Sequence, residues 1–206
     1  MKDQDQETRE RLLSAAAALF AANGFSKVTV RDICNQARAN VAAVNYHFGG
    51  KTGLYDEVLK VAIRTMQGTT DEMRMAGEGR PPDEQLDSCI RVFLGRVAAG
   101  DNWIHRLMLQ EMSDPTPSLD LMVEQVLRPR LAYVSSVIAA IIGCPDEDPR
   151  VLRCLMSVQS QMLALMKNPV ADRLHPSRPL TPESIEATAG HISRFSLAGI
   201  RAIANS

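Results

Sequence analysis

The amino-acid sequence predicts an all-α protein, with a pair of short helices joined by a tight turn near its N-terminus and a larger helical region beyond. Three observations carry that prediction. Aromatic residues are only 4% of the 206, whereas methionine reaches 10, a profile poor in strand formers and rich in adaptable core residues. Apolar residues recur at steps of three and four over long stretches. The 12 glycines and 11 prolines lie mostly between those stretches.

The first helix is expected over about Glu7 to Asn23, where Leu12, Ala16, Leu19 and Phe20 form a stripe widened by Leu13 and Ala17. Gly24 ends it, being able to take a positive φ. Thr29-Val30-Arg31-Asp32 has the form of a capping box and opens a second helix, which runs to about Ala37. Asn40 is an N-cap for a third, Val41 to about His47, which Gly49-Gly50 breaks. A fourth starts at Lys51 and carries Leu54, Val58, Val61, Ala62 and Thr65 on one face. The run Gly77 to Pro82 reads as a linker. Helices follow over about Asp83–Ala99 and Asn102–Met112, then a long one after Pro117 to about Ile142, interrupted by Pro129. Another starts near Asp148-Pro149 and ends near Met166. Residues 167–182 read as a proline-bearing loop, and the last helix covers about Pro182 to Ala204. The expected domains are residues 1–50 and 51–206.

Composition excludes several classes. A net charge of −1 makes the chain as a whole no polyanion binder, so any nucleic-acid surface must be local. Cys34, Cys89, Cys144 and Cys154 show neither C-x-x-C nor ligand-spaced histidines, which argues for reduced thiols and against zinc or a disulfide framework. The polar start and a longest apolar run of only Val137 to Ile142 point to an intracellular protein without a membrane span. Four scattered histidines and the absence of H-E-x-x-H, G-x-S-x-G and Walker motifs leave an enzyme reading without support, and no metal or cofactor is expected.

Between Phe25 and Lys51, Lys27, Arg31, Arg38 and Lys51 face one acid, Asp32, a +3 island in a chain of net −1. An ordinary solvated face explains such an island equally well on charge alone. Lys51 is more telling, because a cation at a helix N-terminus is disfavoured by roughly 0.3–1 kcal/mol unless an anion binds there. Tyr46 and His47 can donate to phosphates and Asn45 can pair with adenine. Val41, Ala42 and Ala43 offer only small apolar contacts. Phe48 is expected in the core.

The stretch TVRDICNQARANVAAVNYHFGGKTGLY, from Thr29 to Tyr55, resembles the DNA-binding domain of TetR-family transcriptional repressors, over about residues 8–60. MSDPTPSLDLMVEQVLRPRL, Met112 to Leu131, is similar to the C-terminal domain of the CecR-like subgroup. The resemblance implies an N-terminal three-helix DNA-binding domain, a larger domain for ligand binding and dimerisation, and a two-fold dimer on an inverted-repeat operator. It implies phosphate contacts from Thr29, Arg31, Tyr46, His47 and Lys51. Base-edge contacts would come from Val41, Ala42, Ala43 and Asn45, with Asn40 at the start of the same helix. Arg38 stands where the family usually has Gly. Either the turn differs, or Arg38 serves a phosphate at a cost on the order of 1 kcal/mol.

Beyond residue 83, most methionines are core filler, although a Met-rich helical domain also suits an irregular small-molecule effector. Phe93, Trp103, Met108, Tyr133, Gln159 and Met162 are the candidate pocket residues. Pro129 frees the Gln125 carbonyl, and the resulting kink is a place for a cavity. The stripes containing Leu152, Leu155 and Met166, and Ile192, Gly199 and Ile203, are the candidate dimer interface, with packing inside the subunit as the alternative. A ligand-binding or scavenging protein with a vestigial helix-turn-helix is the competing functional reading.

Overall fold

The computed structural model describes residues 2–99, 102–166, 173–174 and 181–205. Of the segment expected to be a loop, residues 167–172 and 175–180 lie outside them. All regular structure among the described residues is helical: α1 (Lys2–Asn23), α2 (Val30–Ala37), α3 (Val41–Phe48), α4 (Lys51–Gly77), α5 (Pro82–Ala98), α6 (Asn102–Ser113), α7 (Ser118–Met122), a π-turn (Val123–Leu127), α8 (Arg128–Ile142), α9 (Pro149–Leu163) and α10 (Pro182–Ala204).

Helix α1 begins before the expected Glu7 because its polar first turns support themselves. Thr8 donates to the Gln4 carbonyl at 2.9 Å, Gln6 to Glu10 at 2.6 Å, and Arg11 pairs with Glu7. Such a start has no apolar stripe to announce it. The expected break at Pro129 is resolved as a run of α7, π-turn and α8, with Pro129 in the first turn of α8. The whole stretch Ser118–Ile142 is long and apolar enough by length and composition to cross a membrane, unlike the short run that sequence singled out. Its residues Val134, Val137, Ile138, Ala139 and Ile142 pack in a protein core instead.

The chain forms two compact units, which differ in extent from the expected 1–50 and 51–206. The first holds residues 1–66 and 102–123, and the second 67–101 and 124–206. The first part of α4, residues 51–66, packs with the first unit, and the helix continues into the second.

In the first unit α1, α2, α3 and the start of α4 enclose Leu12, Phe20, Ile33, Val44, Leu54 and Val58, each essentially without exposure. Helix α6 packs along α1. Gln110 donates to the Ala22 carbonyl, and Ser26 to Asp114 at 2.7 Å. Tyr55 lies edge-on to Phe20 at 4.8 Å and donates its hydroxyl to the buried Glu111, which also accepts from the Thr116 N–H at 3.1 Å. Burial first, and then this bond, raises the Tyr55 pKa.

The second unit packs α5, α8, α9 and α10 around Leu86, Ile90, Leu94, Ile138, Val158 and Ile192. Its packing corrects the expected interface. Leu155 and Ile192 are each 4% exposed and belong to this interior, because their faces of α9 and α10 meet α5 and α8. Met166 and Ile203 are half-buried, and only Leu152 and Gly199 of the six are exposed. A second apolar stripe lies exposed on the same two helices: Leu152, Met156 and Leu163 on α9, and Phe195, Ala198 and Ala202 on α10.

Candidate nucleic-acid interface

The helix-turn-helix is built by two side-chain caps and two left-handed residues. Thr29 caps α2 as a complete capping box: its oxygen accepts from the Asp32 N–H, and the Asp32 carboxylate accepts from the Thr29 N–H at 2.9 Å. The Thr29 hydroxyl bond, followed by the backbone bond, holds the Asp32 carboxyl below its ordinary range. Asn40 caps α3, accepting from the Ala42 N–H at 3.0 Å. Arg38 ends α2 at φ 51° and ψ 50°, the only positive-φ residue other than glycine among those described. The turn therefore has the left-handed geometry that Gly would favour, and the alternative of a different turn falls away. Gly49 closes α3 at φ 70°.

These caps aim one face of α3 outward. Tyr46 is 77% exposed and Val41 42%, with Ala42 and Asn45 also exposed and Ala43 half-buried. Val44 and Phe48 point inward, as expected of Phe48. Arg31, Arg38 and Lys27 are exposed on the neighbouring segments. The basic residues of the +3 island thus flank α3 on the segments before and after it.

Three expected phosphate groups have partners within the protein. The Thr29 hydroxyl donates to Asp32 at 2.7 Å. His47 keeps only 8% of its side chain exposed, with Nε2 3.4 Å from Asp5 on α1. The Lys51 ammonium stands 4.3 Å from the centroid of the Phe25 ring, a cation–π contact that offsets its unfavourable place at the α4 start. Sequence reasoning also missed Gly53. A Cβ there would stand 1.9 Å from the Phe48 carbonyl oxygen, so the first turn of α4 can lie against the end of α3 only with glycine at this position. The one sequence sign was a glycine inside a helical pattern.

The candidate pocket residues fall in both units. Trp103 and Met108 belong to the first unit, while Phe93, Tyr133, Gln159 and Met162 belong to the second, Met162 being buried in its core. A groove of about 520 Å³ lies instead at Pro129, lined by Gln67, Thr70, Asp71, Arg74, Gln125, Val126 and Pro129, all in the second unit. The Gln125 carbonyl that Pro129 frees accepts from Gln67 Nε2 at 3.2 Å. Among the described residues no cluster of His, Cys, Asp or Glu is suited to a metal ion.

A capped helix-turn-helix with an exposed second helix flanked by cationic segments, followed by a second unit that is helical among its described residues, defines a DNA-binding regulator of the one-chain, two-unit kind. Residues 12–58 match the family model for bacterial regulatory proteins of the tetR family, and residues 82–200 that for the C-terminal domain of the HTH-type transcriptional dual regulator CecR. The chain belongs to the TetR family of transcriptional regulators, in the group with the CecR-type C-terminal domain. It is 25% identical over 174 residues to the transcriptional dual regulator CecR of Shigella flexneri, covering 80% of this chain and 78% of that protein. It is 32% identical over 97 residues to the probable acrEF/envCD operon repressor of Escherichia coli, covering 47% and 44%. The fold resembles the ketosteroid transcriptional regulator KstR2 of Mycobacterium tuberculosis, with a TM-score of 0.68, 20% identity and 93% of each chain covered.

Proposed function

We propose that the protein is a ligand-responsive repressor that acts in the cytoplasm. Two copies bind an inverted-repeat operator, and a small molecule in the second unit modulates that binding. The observation that carries the reading is the exposure of Tyr46, 77%, on a fully capped α3 inside the +3 island. Arg31, Arg38, Tyr46 and Lys51 contact phosphates, while Val41, Ala42 and Asn45 face the base edges of a major groove. For Lys51 this means exchanging or sharing its contact with Phe25.

The dimer reading is supported by the exposed stripe of Leu152, Met156, Leu163, Phe195, Ala198 and Ala202, and by open space where a Cβ on Gly199 would stand. Two such two-helix faces suit a four-helix contact across a two-fold axis. The effector acts only through unequal affinity for the DNA-competent and DNA-incompetent states.

Fluorescence anisotropy with the promoter region of its own gene tests the reading. The protein is expected to bind in a salt-dependent, sequence-preferring way. Tyr46→Ala and Lys51→Ala each weaken binding, and Lys51→Ala, which removes a charge, also lowers the salt slope by about 0.9. No preference for the promoter over random duplex at low salt would refute it.

A further inference from the structure

The groove at Pro129 holds two opposite charges that do not meet. Asp71 and Arg74 stand three residues apart on α4, a spacing at which such side chains ordinarily pair. Arg74 is instead held over the Tyr133 ring, 4.7 Å from its centroid, with Nη2 3.5 Å from the Pro129 carbonyl. Asp71 is exposed on the groove wall, and among the described residues no cation pairs with it. The remaining polar lining is the Gln67 and Gln125 amides and the Thr70 hydroxyl, which accepts from the Arg130 guanidinium at 3.0 Å.

This arrangement selects among small molecules by charge. A simple anion near Arg74 meets the Asp71 carboxylate as a repulsive neighbour, and a simple cation near Asp71 meets the guanidinium. A molecule carrying both charges satisfies both walls. The two side chains leave α4 at points about 5–6 Å apart, which sets the scale of charge separation in the ligand. The groove volume lies in the range of small-molecule sites, roughly 300–1,000 Å³. We propose that this groove binds a zwitterionic small molecule, its cationic group on Asp71 and its anionic group on Arg74. The proposal rests on the ligand-responsive reading above and names the chemistry of the effector.

Isothermal titration of the full chain with butyl-dimethylammonio-propanesulfonate tests it, with butyltrimethylammonium and butanesulfonate as single-charge controls. The zwitterion is expected to bind on the order of tenfold more tightly than either control, because it adds one opposite-charge contact, ammonium to Asp71 or sulfonate to Arg74, to the one each control makes. Asp71→Asn should erase the advantage over butanesulfonate, and Arg74→Gln the advantage over butyltrimethylammonium. Should Arg74→Gln fail to fold for loss of its Tyr133 contact, Asp71→Asn alone carries the test. Equal binding of a control, unchanged zwitterion binding in Asp71→Asn, or no binding of the zwitterion overturns the proposal. Promoter binding measured on the same preparations separates the two readings. Promoter binding without zwitterion binding refutes the groove alone, and zwitterion binding without promoter binding refutes the repressor alone.

Discussion

At φ 51°, Arg38 occupies a backbone region that costs a residue with a Cβ on the order of 1 kcal/mol relative to glycine. Its exposed guanidinium stands in the turn of the helix-turn-helix, where a duplex phosphate would compensate that cost. Arg38→Gly is therefore expected to raise unfolding stability by about 1 kcal/mol in urea, while weakening promoter binding and lowering its salt slope by about 0.9. Greater stability with unchanged affinity would make Arg38 a turn residue only. Gly53 gives the opposite case. Gly53→Ala places a methyl 1.9 Å from the Phe48 carbonyl, and thermal melts should show destabilisation of about 1–3 kcal/mol. Arg38 was legible in sequence as an oddity, and its geometry as one of two alternatives. The Lys51 charge was legible too, but its Phe25 partner was not, because the contact joins residues far apart in the chain. The same holds for His47 and Asp5.

Helix starts were the most readable elements, since a cap is a local matter of one side chain and the amides that follow it. Thr29 and Asn40 cap as their sequence predicts, and α9 starts at Pro149 behind Asp148. Asp148 also yields a pH prediction. The Arg150 guanidinium first, and then the Arg150 N–H, pull its carboxyl down to about 2. A depressed carboxyl contributes stability above the unfolded-state value of about 3.9. That contribution is lost as pH falls through the folded value. The melting temperature of Asp148→Ala should thus lie below wild type at pH 6, and the gap should close toward pH 2. An unchanging gap would mean the cap acts without its charge. The polar start of α1 and the π-turn were not readable. Periodicity reports burial, and neither feature owes its form to a buried stripe.

Across the molecule, the sequence conveyed the all-helical architecture and the place of the helix-turn-helix, but not which stripe of α9 and α10 looks outward. Both helices carry apolar residues on two faces, and spacing alone does not say which face the subunit uses for itself. The outward stripe predicts that Phe195→Glu converts a dimer to a monomer in sedimentation and weakens promoter binding. A wild-type protein that sediments as a monomer would remove the interface. The composition of the first unit also bears on biogenesis. Helix α6 and Glu111 complete the packing of α1 and Tyr55, yet they follow them by some fifty to a hundred positions in the chain. A polypeptide emerging from the ribosome N-terminus first therefore cannot finish its first unit early. Translation must pass Val123 before the first unit has all its parts, so a truncated product ending after α4 lacks the α6 packing on α1 and the Glu111 acceptor of Tyr55.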